Sequence, residues 1–232
     1  SKEYLTTMRP IITLSLGGSV INPGKIDKKF LNEFRSLIIE KLSEYRFMIV
    51  CGGGKTAREY ISALPAGLSE GERDYMGISA TWINAQLLSF YFKGYCSPVL
   101  PQTVDDLRKH LCNYDIGLSG GFLPSVKTDE DAAILADLFA SPLLINITNV
   151  DGVYDKDPKK YPDAKLLSNL TYKDFFSIVS PLSIDAGSNA PFTFIAAKIC
   201  ERSNIKIIIC PKDVSKIRDA IEGRDVGTII SG

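Results

Sequence analysis

Residues 11–19 read IITLSLGGS, an apolar run of six residues followed directly by two glycines and a serine. A second apolar run, at residues 47–50, leads in the same way into CGGGK at residues 51–55. Short apolar runs of this kind are typical of buried strands, and glycine lets the backbone N–H groups at the start of the next helix approach a polyanion. The two turns therefore predict two phosphate-binding sites, which makes phosphoryl transfer the first function to test.

Short β-branched runs alternate with longer amphipathic segments along the chain, and this pattern indicates an α/β fold with a mainly parallel sheet. Strands are predicted at residues 11–16, 47–51, 97–100, 116–119, 143–147, 206–210 and 226–230, the last as an edge strand. Helices are predicted at residues 27–45, 54–63, 72–92, 104–111, 128–139, 172–178, 190–203 and 214–221. Thr103 and Thr128 are the predicted N-caps, and Asp131 stands three residues after Thr128 as in a weak capping box. We expect one domain at residues 11–232 after an extension or frayed segment at residues 1–10.

The composition is that of an ordinary globular chain of 232 residues, 45% hydrophobic, with 27 basic and 27 acidic side chains. This balance provides no broad basic surface for a nucleic acid or an anionic membrane. The five cysteines are odd in number and never spaced Cys-x-x-Cys. We therefore expect no disulfide framework and no zinc site, and a reducing cytoplasmic location. No apolar run has the length of a membrane span, so the expected partners are small molecules and copies of the chain itself.

Spacing excludes three common classes of nucleotide-binding protein. A Walker P-loop requires a glycine five residues before Gly54, where this chain has Ile49. Neither glycine cluster continues as G-x-G-x-x-G into a helix, which excludes a Rossmann dinucleotide fingerprint. The motifs of protein kinases are also missing, and the single histidine, His110, lies in a polar predicted helix. Histidine-based catalysis is therefore not expected.

Arg58 is the first candidate catalytic side chain, because it stands one helical turn after Gly54 and its planar guanidinium matches phosphate oxygens. Taken alone, Arg58 is equally well interpreted as a surface arginine, and the adjacent glycines favour the functional interpretation. Asp129 and Asp131 resemble metal ligands by residue type. Their position at a helix start explains both through the helix dipole, so no residue is assigned to a metal.

Several segments together resemble the amino-acid kinase family, and within it the archaeal-type uridylate kinases. They are GGGKTAREY at residues 52–60, TNVDGVY at residues 148–154, DPKK at residues 157–160 and AAK at residues 196–198. The segment from Thr148 to Asp157 is the most specific of them, and the likeness runs from about Ile11 to Ile230. The resemblance implies a three-layer α/β/α sandwich with a mainly parallel central sheet.

The resemblance also implies an activity, the transfer of the γ-phosphoryl group of ATP to UMP, giving ADP and UDP. The N-terminal part would carry the acceptor phosphate and the C-terminal part would carry ATP, with Mg²⁺ held mainly by phosphates and water. The implied catalytic residues are Gly54, Arg58 and Lys198. The implied ATP-binding residues are Gly17, Gly18, Ser19, Gly54, Arg58, Thr148, Asn149, Tyr154 and Asp157. The implied UMP-binding residues are Gly53, Asp74, Phe122, Leu123, Pro124, Ser125, Val126, Lys127 and Thr128.

These implied roles suit the chemistry of the side chains. A carboxylate at Asp74 can accept hydrogen bonds from both ribose hydroxyls of UMP, and Tyr154 offers a flat face to adenine or ribose. Taken alone, Asp74 and Lys198 are more typical of solvent-facing helix residues. The family's uridylate kinases are typically hexamers built from dimers, and the apolar-rich helix at residues 75–92 is a candidate interface.

Several positions depart from the family pattern, and among them Ser125 and Val126 replace a more glycine-rich uridine loop. Ser15 stands where many relatives have a lysine, Trp82 replaces an arginine, and Thr193 begins TFI in place of Asp-Pro-Leu. Two alternatives therefore stay open. One is a kinase of the same fold that acts on isopentenyl phosphate, acetylglutamate or carbamate, although isopentenyl phosphate kinases carry a histidine where this chain has KTA at residues 55–57. The other is a nucleotide-binding protein with weak turnover.

Overall fold

The computed structural model describes residues 9–182 and 191–232. Their strands are β1 (Ile11–Leu16), β2 (Arg46–Cys51), β3 (Ile116–Ser119), β4 (Leu143–Thr148), β5 (Asn169–Thr171), β6 (Lys206–Pro211) and β7 (Thr228–Ser231). Their helices are α1 (Gly18–Ile21), α2 (Lys28–Lys41), α3 (Gly54–Ser62), α4 (Glu70–Tyr91), α5 (Val104–Asn113), α6 (Thr128–Leu138), α7 (Tyr172–Leu182), α8 (Phe194–Arg202) and α9 (Val214–Ile221). Residue 190 and residues 1–8 of the predicted extension lie outside the described residues. The helix predicted at residues 190–203 begins later, at Phe194, because the Thr193 side chain caps it.

In the described part of the chain, the strands form one sheet in the order β3-β2-β1-β4-β6-β7-β5. The five strands β3, β2, β1, β4 and β6 all run parallel to one another, and β7 runs antiparallel to β6. The carboxyl ends of β1, β2, β3 and β4 therefore meet at one edge of the sheet, where the loops of an open α/β sheet bind ligands. This edge contains both glycine turns.

Helices cover both faces of the sheet, which confirms the predicted three-layer α/β/α sandwich. On one face, Leu14 and Ile49 are fully buried with Phe34 of α2 and Leu88 of α4 in one apolar cluster. On the other face, Val50, Leu144 and Ile209 are fully buried in a second cluster with residues of α5, α6, α7 and α8. Strands buried on both faces read as continuous apolar runs, which is why the sequence indicated parallel strands at these positions.

Two strand predictions were wrong. Residues 97–100 form no strand, because the Ser97 hydroxyl donates to the Val99 carbonyl and accepts from the Val99 N–H, which folds the chain back at Pro98. The last strand, β7, is not an edge strand, because it lies between β6 and β5. The short strand β5 forms that edge and had no prediction, since a three-residue strand gives little period-2 signal.

One of the two predicted N-caps is confirmed. The Thr103 side chain accepts from the N–H of Asp106, and the Asp106 carboxylate accepts from the N–H of Thr103, which forms a capping box at α5. At α6 the prediction was wrong, because Thr128 is the first helical residue and Lys127 is the N-cap. The carboxylate of Glu130, rather than that of Asp131, accepts from the Lys127 N–H.

Candidate active site

The two glycine turns lie in direct backbone contact. A Cβ atom placed on Gly18 would overlap the backbone of Gly53 and Gly54, so no larger residue fits where the turns cross. The first turn is also tied to β4, because the Gly17 N–H donates to the Ile147 carbonyl at 3.1 Å. Two anions bound at these turns would therefore lie close together, as donor and acceptor phosphates must for direct transfer.

Gly54 begins α3 with φ of +56°, a conformation that residues with a Cβ rarely adopt. The turn is held by α4, since the Asn84 side-chain amide donates to the Gly52 carbonyl at 2.8 Å. Neither α1 nor α3 has a side-chain cap at its N-terminus. Both helix starts therefore present backbone N–H groups, and α3, the longer of the two, adds a positive dipole end. These features favour a negatively charged ligand.

The acceptor loop, defined here as residues 120–127, is held against α4 at two places. The Asp74 carboxylate accepts from the Ser125 N–H at 2.8 Å, so these two predicted UMP-binding residues are in contact. Trp82 donates from Nε1 to the Gly121 carbonyl at 2.7 Å, and its ring lies edge-on to Phe122 at 5.5 Å. The remaining predicted UMP-binding positions, Leu123, Pro124, Val126, Lys127 and Thr128, follow along this loop and into α6.

Three polar side chains lie at the start of α6, where Ser15 and Asp131 are buried and Asp129 is half-buried. The Ser15 hydroxyl donates to Asp129 at 2.9 Å, and the neighbouring carboxylate of Asp131 has one oxygen without a hydrogen-bond partner in the described residues. Burial raises the pKa of Asp129 to about 6, against the lowering effect of the Ser15 hydroxyl. Burial also raises the pKa of Asp131 to about 7, although the Phe122 N–H lowers it. Both carboxyls therefore hold protons more readily than exposed aspartates.

The predicted ATP-binding segment after β4 reaches the first glycine turn. The Asn149 amide donates to the Ser19 carbonyl at 3.2 Å, which brings these two predicted residues together. Tyr154 is half-buried and its hydroxyl donates to Asp151 at 3.3 Å. Asp157 is exposed and accepts from the Lys159 N–H at 2.9 Å. In the sheet, β3 and β4 lie on opposite sides of the pair β2-β1 that carries the glycine turns. The acceptor loop, which follows β3, and the predicted ATP-binding segment, which follows β4, therefore lie on opposite sides of the turns.

A sequence model of the Amino acid kinase family matches residues 10–211. The chain belongs to the amino acid kinase family. It is 39% identical over 218 residues to a protein named uridylate kinase from Thermoplasma volcanium, which covers 94% of this chain and 95% of that relative.

Solved structures of the family superpose on this amino acid kinase. The crystal structure of uridylate kinase from Archaeoglobus fulgidus matches with a TM-score of 0.85 and 36% identity, covering 97% of this chain and 100% of the other. UMP kinase from Ureaplasma parvum matches with a TM-score of 0.76 over 97% of this chain and 100% of the other, and at 24% identity this supports the fold alone.

Arg58 and Lys198 occupy different surroundings in this amino acid kinase. Arg58 is exposed on the second turn of α3 and makes no ion pair or hydrogen bond with any described residue, so its guanidinium is available to a ligand. Lys198 lies on α8, where its ammonium pairs with Glu201 at 2.8 Å and lies 3.9 Å from the centre of the Phe176 ring. No contact joins Lys198 to the glycine turns within residues 9–182 and 191–232, and its catalytic role stays a prediction.

The positions that depart from the family pattern have local partners. Ser15 is bonded to Asp129, Trp82 to Gly121, and Thr193 caps α8 by accepting from the Ala196 N–H at 3.1 Å. Thr81 and Asn84 bind the loop and the second turn but were assigned no role from the sequence. A threonine and an asparagine among apolar residues of a long helix were the available signal, because buried polar groups require partners.

Two classes of feature are absent from residues 9–182 and 191–232. No three histidine, cysteine, aspartate or glutamate side chains converge there as metal ligands would. The same residues contain no helix with the length and apolar character of a transmembrane span.

Proposed function

We propose that this chain is a UMP kinase that transfers the γ-phosphoryl group of ATP to UMP, giving ADP and UDP. The observation that carries the proposal is the backbone contact between Gly18 and Gly54, at the carboxyl ends of β1 and β2. The uridylate kinase relatives support the same substrates. The acceptor site belongs to the N-terminal part of a single domain at residues 11–232, and the ATP site belongs to its C-terminal part.

The chain promotes the reaction by positioning two anions, since phosphoryl transfer needs little covalent participation by protein groups. The first turn, at residues 17–19, holds ATP phosphates through the N–H groups of Gly18 and Ser19, since that of Gly17 donates to Ile147. The N–H groups of residues 53–54 hold the UMP phosphate and the group in transit. The exposed guanidinium of Arg58 extends to the transferred phosphoryl group, where it neutralises charge and forms paired hydrogen bonds.

The two nucleosides bind on opposite sides of the turns. On the acceptor side, Asp74 accepts hydrogen bonds from the UMP ribose, and the acceptor loop encloses the uracil. On the donor side, Tyr154 and Asp157 hold the adenosine, with Thr148 and Asn149 next to the first turn. Lys198 supplies a further cation near the phosphates.

Mg²⁺ is the proposed cofactor and neutralises phosphate charge when it is bound with ATP. Its ligands would be the nucleotide phosphates and water, since Mg²⁺ bound with a nucleotide keeps several waters and takes few protein ligands. We assign no protein side chain to it. This agrees with the preference of Mg²⁺ for phosphate oxygens and water over closed protein cages.

We also propose that the protein forms homo-oligomers, of the hexameric type implied by the family, and that it is located in the cytoplasm. The outward face of α4 carries Tyr75, Ile83 and Phe90, which are 60%, 56% and 69% exposed. These side chains are larger and more apolar than a solvated helix face requires, which supports α4 as a contact between subunits. Light scattering of the purified protein in solution measures the assembly directly.

The test is a panel of acceptors incubated with the purified protein and Mg-ATP, with ADP and each phosphorylated product measured. The acceptors are UMP, CMP, AMP, isopentenyl phosphate, acetylglutamate and carbamate. We expect UDP to form with kcat/KM at least a hundredfold above the next acceptor. Preferential turnover of isopentenyl phosphate, acetylglutamate or carbamate would replace UMP as the substrate, and binding of UMP without turnover would leave a nucleotide-binding protein.

A further inference from the structure

The helix α4 holds both sides of the acceptor site through a short stretch of its sequence. Thr81 and Trp82 bind the acceptor loop, and Asn84 binds the second glycine turn. We propose that Trp82 is a positioning residue for the acceptor, setting the loop geometry that UMP requires. This inference rests on the proposed function and adds to it a residue that selects the acceptor.

Gly121 is bound by two consecutive residues of α4. The indole Nε1–H of Trp82 donates to the Gly121 carbonyl at 2.7 Å, and the Thr81 hydroxyl accepts from the Gly121 N–H at 2.8 Å. Thr81 in turn donates to the Ile78 carbonyl at 2.6 Å, so its hydroxyl is held in one orientation. With both of its backbone polar groups bound, Gly121 has little freedom to move relative to α4.

The indole ring of Trp82 adds a second restraint, on the residue after Gly121. Its plane meets the Phe122 ring at 83° with centroids 5.5 Å apart, which is the edge-to-face geometry that aromatic pairs prefer. Both rings are half-buried. Trp82 therefore fixes a backbone carbonyl and an aromatic side chain of the same loop, and both precede Ser125, whose N–H reaches Asp74.

Trp82 is connected to the second glycine turn, where the phosphate is transferred in the proposed site, through less than one turn of α4. Asn84 follows Trp82 by two residues, is 2% exposed, and donates to the Gly52 carbonyl at 2.8 Å. The distance between the acceptor loop and the second turn is thus set by α4. UMP spans these two elements in the proposed site, so a shift of the loop would weaken UMP binding and leave ATP binding unchanged.

Trp82 is the only tryptophan of the chain, so the tryptophan emission reports on the surroundings of its ring, which include the acceptor loop. We expect UMP to change the emission of the native protein in a saturable way, with a midpoint equal to the UMP dissociation constant measured by calorimetry. ATP without UMP should produce a much smaller change. Emission that does not respond to saturating UMP would overturn the proposal.

Trp82→Phe keeps an aromatic ring and removes the N–H donor, which leaves the Gly121 carbonyl without its partner. We expect the KM and the dissociation constant for UMP to rise about tenfold, the size expected for one lost hydrogen bond in a half-buried site. The kcat should stay within about threefold, and the KM for ATP should not change. A purely structural role predicts instead that both KM values and the melting temperature change together, and that result would overturn the proposal.

Gln86→Met is the matched control, because it removes a 2.8 Å hydrogen bond, to Ser89, on the same helix but away from the loop. It should leave both KM values unchanged. If the native protein forms no UDP, the proposed function fails, whereas calorimetry of UMP binding to native protein and Trp82→Phe still decides the role of Trp82. Equal UMP affinity in the two proteins, or no UMP binding by the native protein, would contradict that role.

Discussion

On the acceptor side of the site, three residues of α4 bind backbone groups of the acceptor loop. They are Asp74, Thr81 and Trp82. On the donor side, one hydrogen bond among the described residues, from Asn149 to Ser19, joins the predicted ATP-binding segment to a glycine turn. Tyr154 and Asp157 are bonded to residues two or three positions away in sequence. The acceptor loop is therefore positioned by side chains of a long helix. On the donor side the backbone at residues 153–155 is held by residues 165–167 and by Thr228 of β7, whereas the candidate side chains of Tyr154 and Asp157 make only local hydrogen bonds.

This difference indicates where each substrate gains its specificity. A preorganised loop selects a ligand by geometry, because displaced hydrogen bonds cannot be remade elsewhere. Side chains with only local hydrogen bonds can adjust to a ligand, and they then contribute mainly to affinity. We therefore expect substitutions on the acceptor side to change the choice of acceptor, and those on the donor side to change only the KM for ATP.

Gly18→Ala should have the largest effect, because it separates the two turns that both sides share. A Cβ at residue 18 would overlap the backbone of Gly53 and Gly54, and neither turn can withdraw without breaking its strand. We expect turnover to fall by more than a thousandfold, and the free energy of unfolding to fall by about 3 kcal/mol, or about 10 °C in melting temperature.

Gly71→Ala is the control for Gly18→Ala, because a Cβ at residue 71 in α4 meets no atom within 4 Å. This change should keep full activity and stabilise the protein slightly, since alanine favours a helix over glycine. Activity of Gly18→Ala within tenfold of the native enzyme would show that the turns need not touch during catalysis.

Arg58→Ala should have the next largest effect and should act on the transfer step, which both sides serve. The side chain is exposed and has no partner in residues 9–182 and 191–232, so its loss removes no structural contact. We expect kcat to fall about a hundredfold with an unchanged melting temperature, as for the loss of one cation that stabilises the transition state. Arg108→Ala, a change of an exposed arginine on α5, is the matched control and should leave kcat unchanged.

The residues that form the turns could be recognised from the sequence because their signals are local. Glycines after an apolar run predicted both turns, and the two strands concerned were placed within one residue of their observed bounds. The binding of phosphates at these turns stays a prediction. Asp74 and Ser125 are separated by 51 positions, and no local pattern predicts their hydrogen bond. The Trp82–Gly121 contact is likewise a product of tertiary packing, so the preorganisation of the acceptor side could not be predicted.

The two sides can be compared directly with one carboxylate from each. Asp74→Asn should raise the KM for UMP about tenfold and leave that for ATP unchanged, because an amide accepts ribose hydroxyls less well and also loses its charge. Asp157→Asn should raise the KM for ATP by a smaller factor, about threefold, because this exposed side chain has only a local hydrogen bond, to the Lys159 N–H, and can adjust its position. Initial-rate measurements with each substrate varied in turn give all four values.

The two sides are distinguished if each substitution raises the KM of one substrate only, Asp74→Asn that of UMP and Asp157→Asn that of ATP. If Asp74→Asn raises both KM values equally, the acceptor loop is not specific to UMP. If Asp157→Asn raises the KM for UMP, the assignment of the segment after β4 to ATP is wrong. Asp105→Asn is the control for both substitutions, because Asp105 is an exposed carboxylate in the first turn of α5. Its effect on the two KM values measures any general consequence of losing a negative charge.

Asp131→Asn should have the smallest effect on activity and a measurable effect on stability. Burial raises the pKa of Asp131 to about 7 in the folded protein, well above the value near 4 for an unfolded chain. A raised folded-state pKa means that the stabilising contribution is present below about pH 4 and is lost as pH rises through about 7. The asparagine keeps the shape without the charge, so it should be more stabilising at pH 8 than at pH 5.

We expect the gain in unfolding free energy from Asp131→Asn to be about 2 to 3 kcal/mol larger at pH 8 than at pH 5, measured by urea denaturation. Asp105→Asn serves as the control again, since it lies in the first turn of another helix with its side chain in water, and should change stability equally at both pH values. A gain for Asp131→Asn that is the same at both pH values would show that Asp131 remains charged beneath the acceptor loop. The rigid acceptor side would then contain a buried negative charge close to a phosphate, and the preorganisation described for it would have to come from α4 alone.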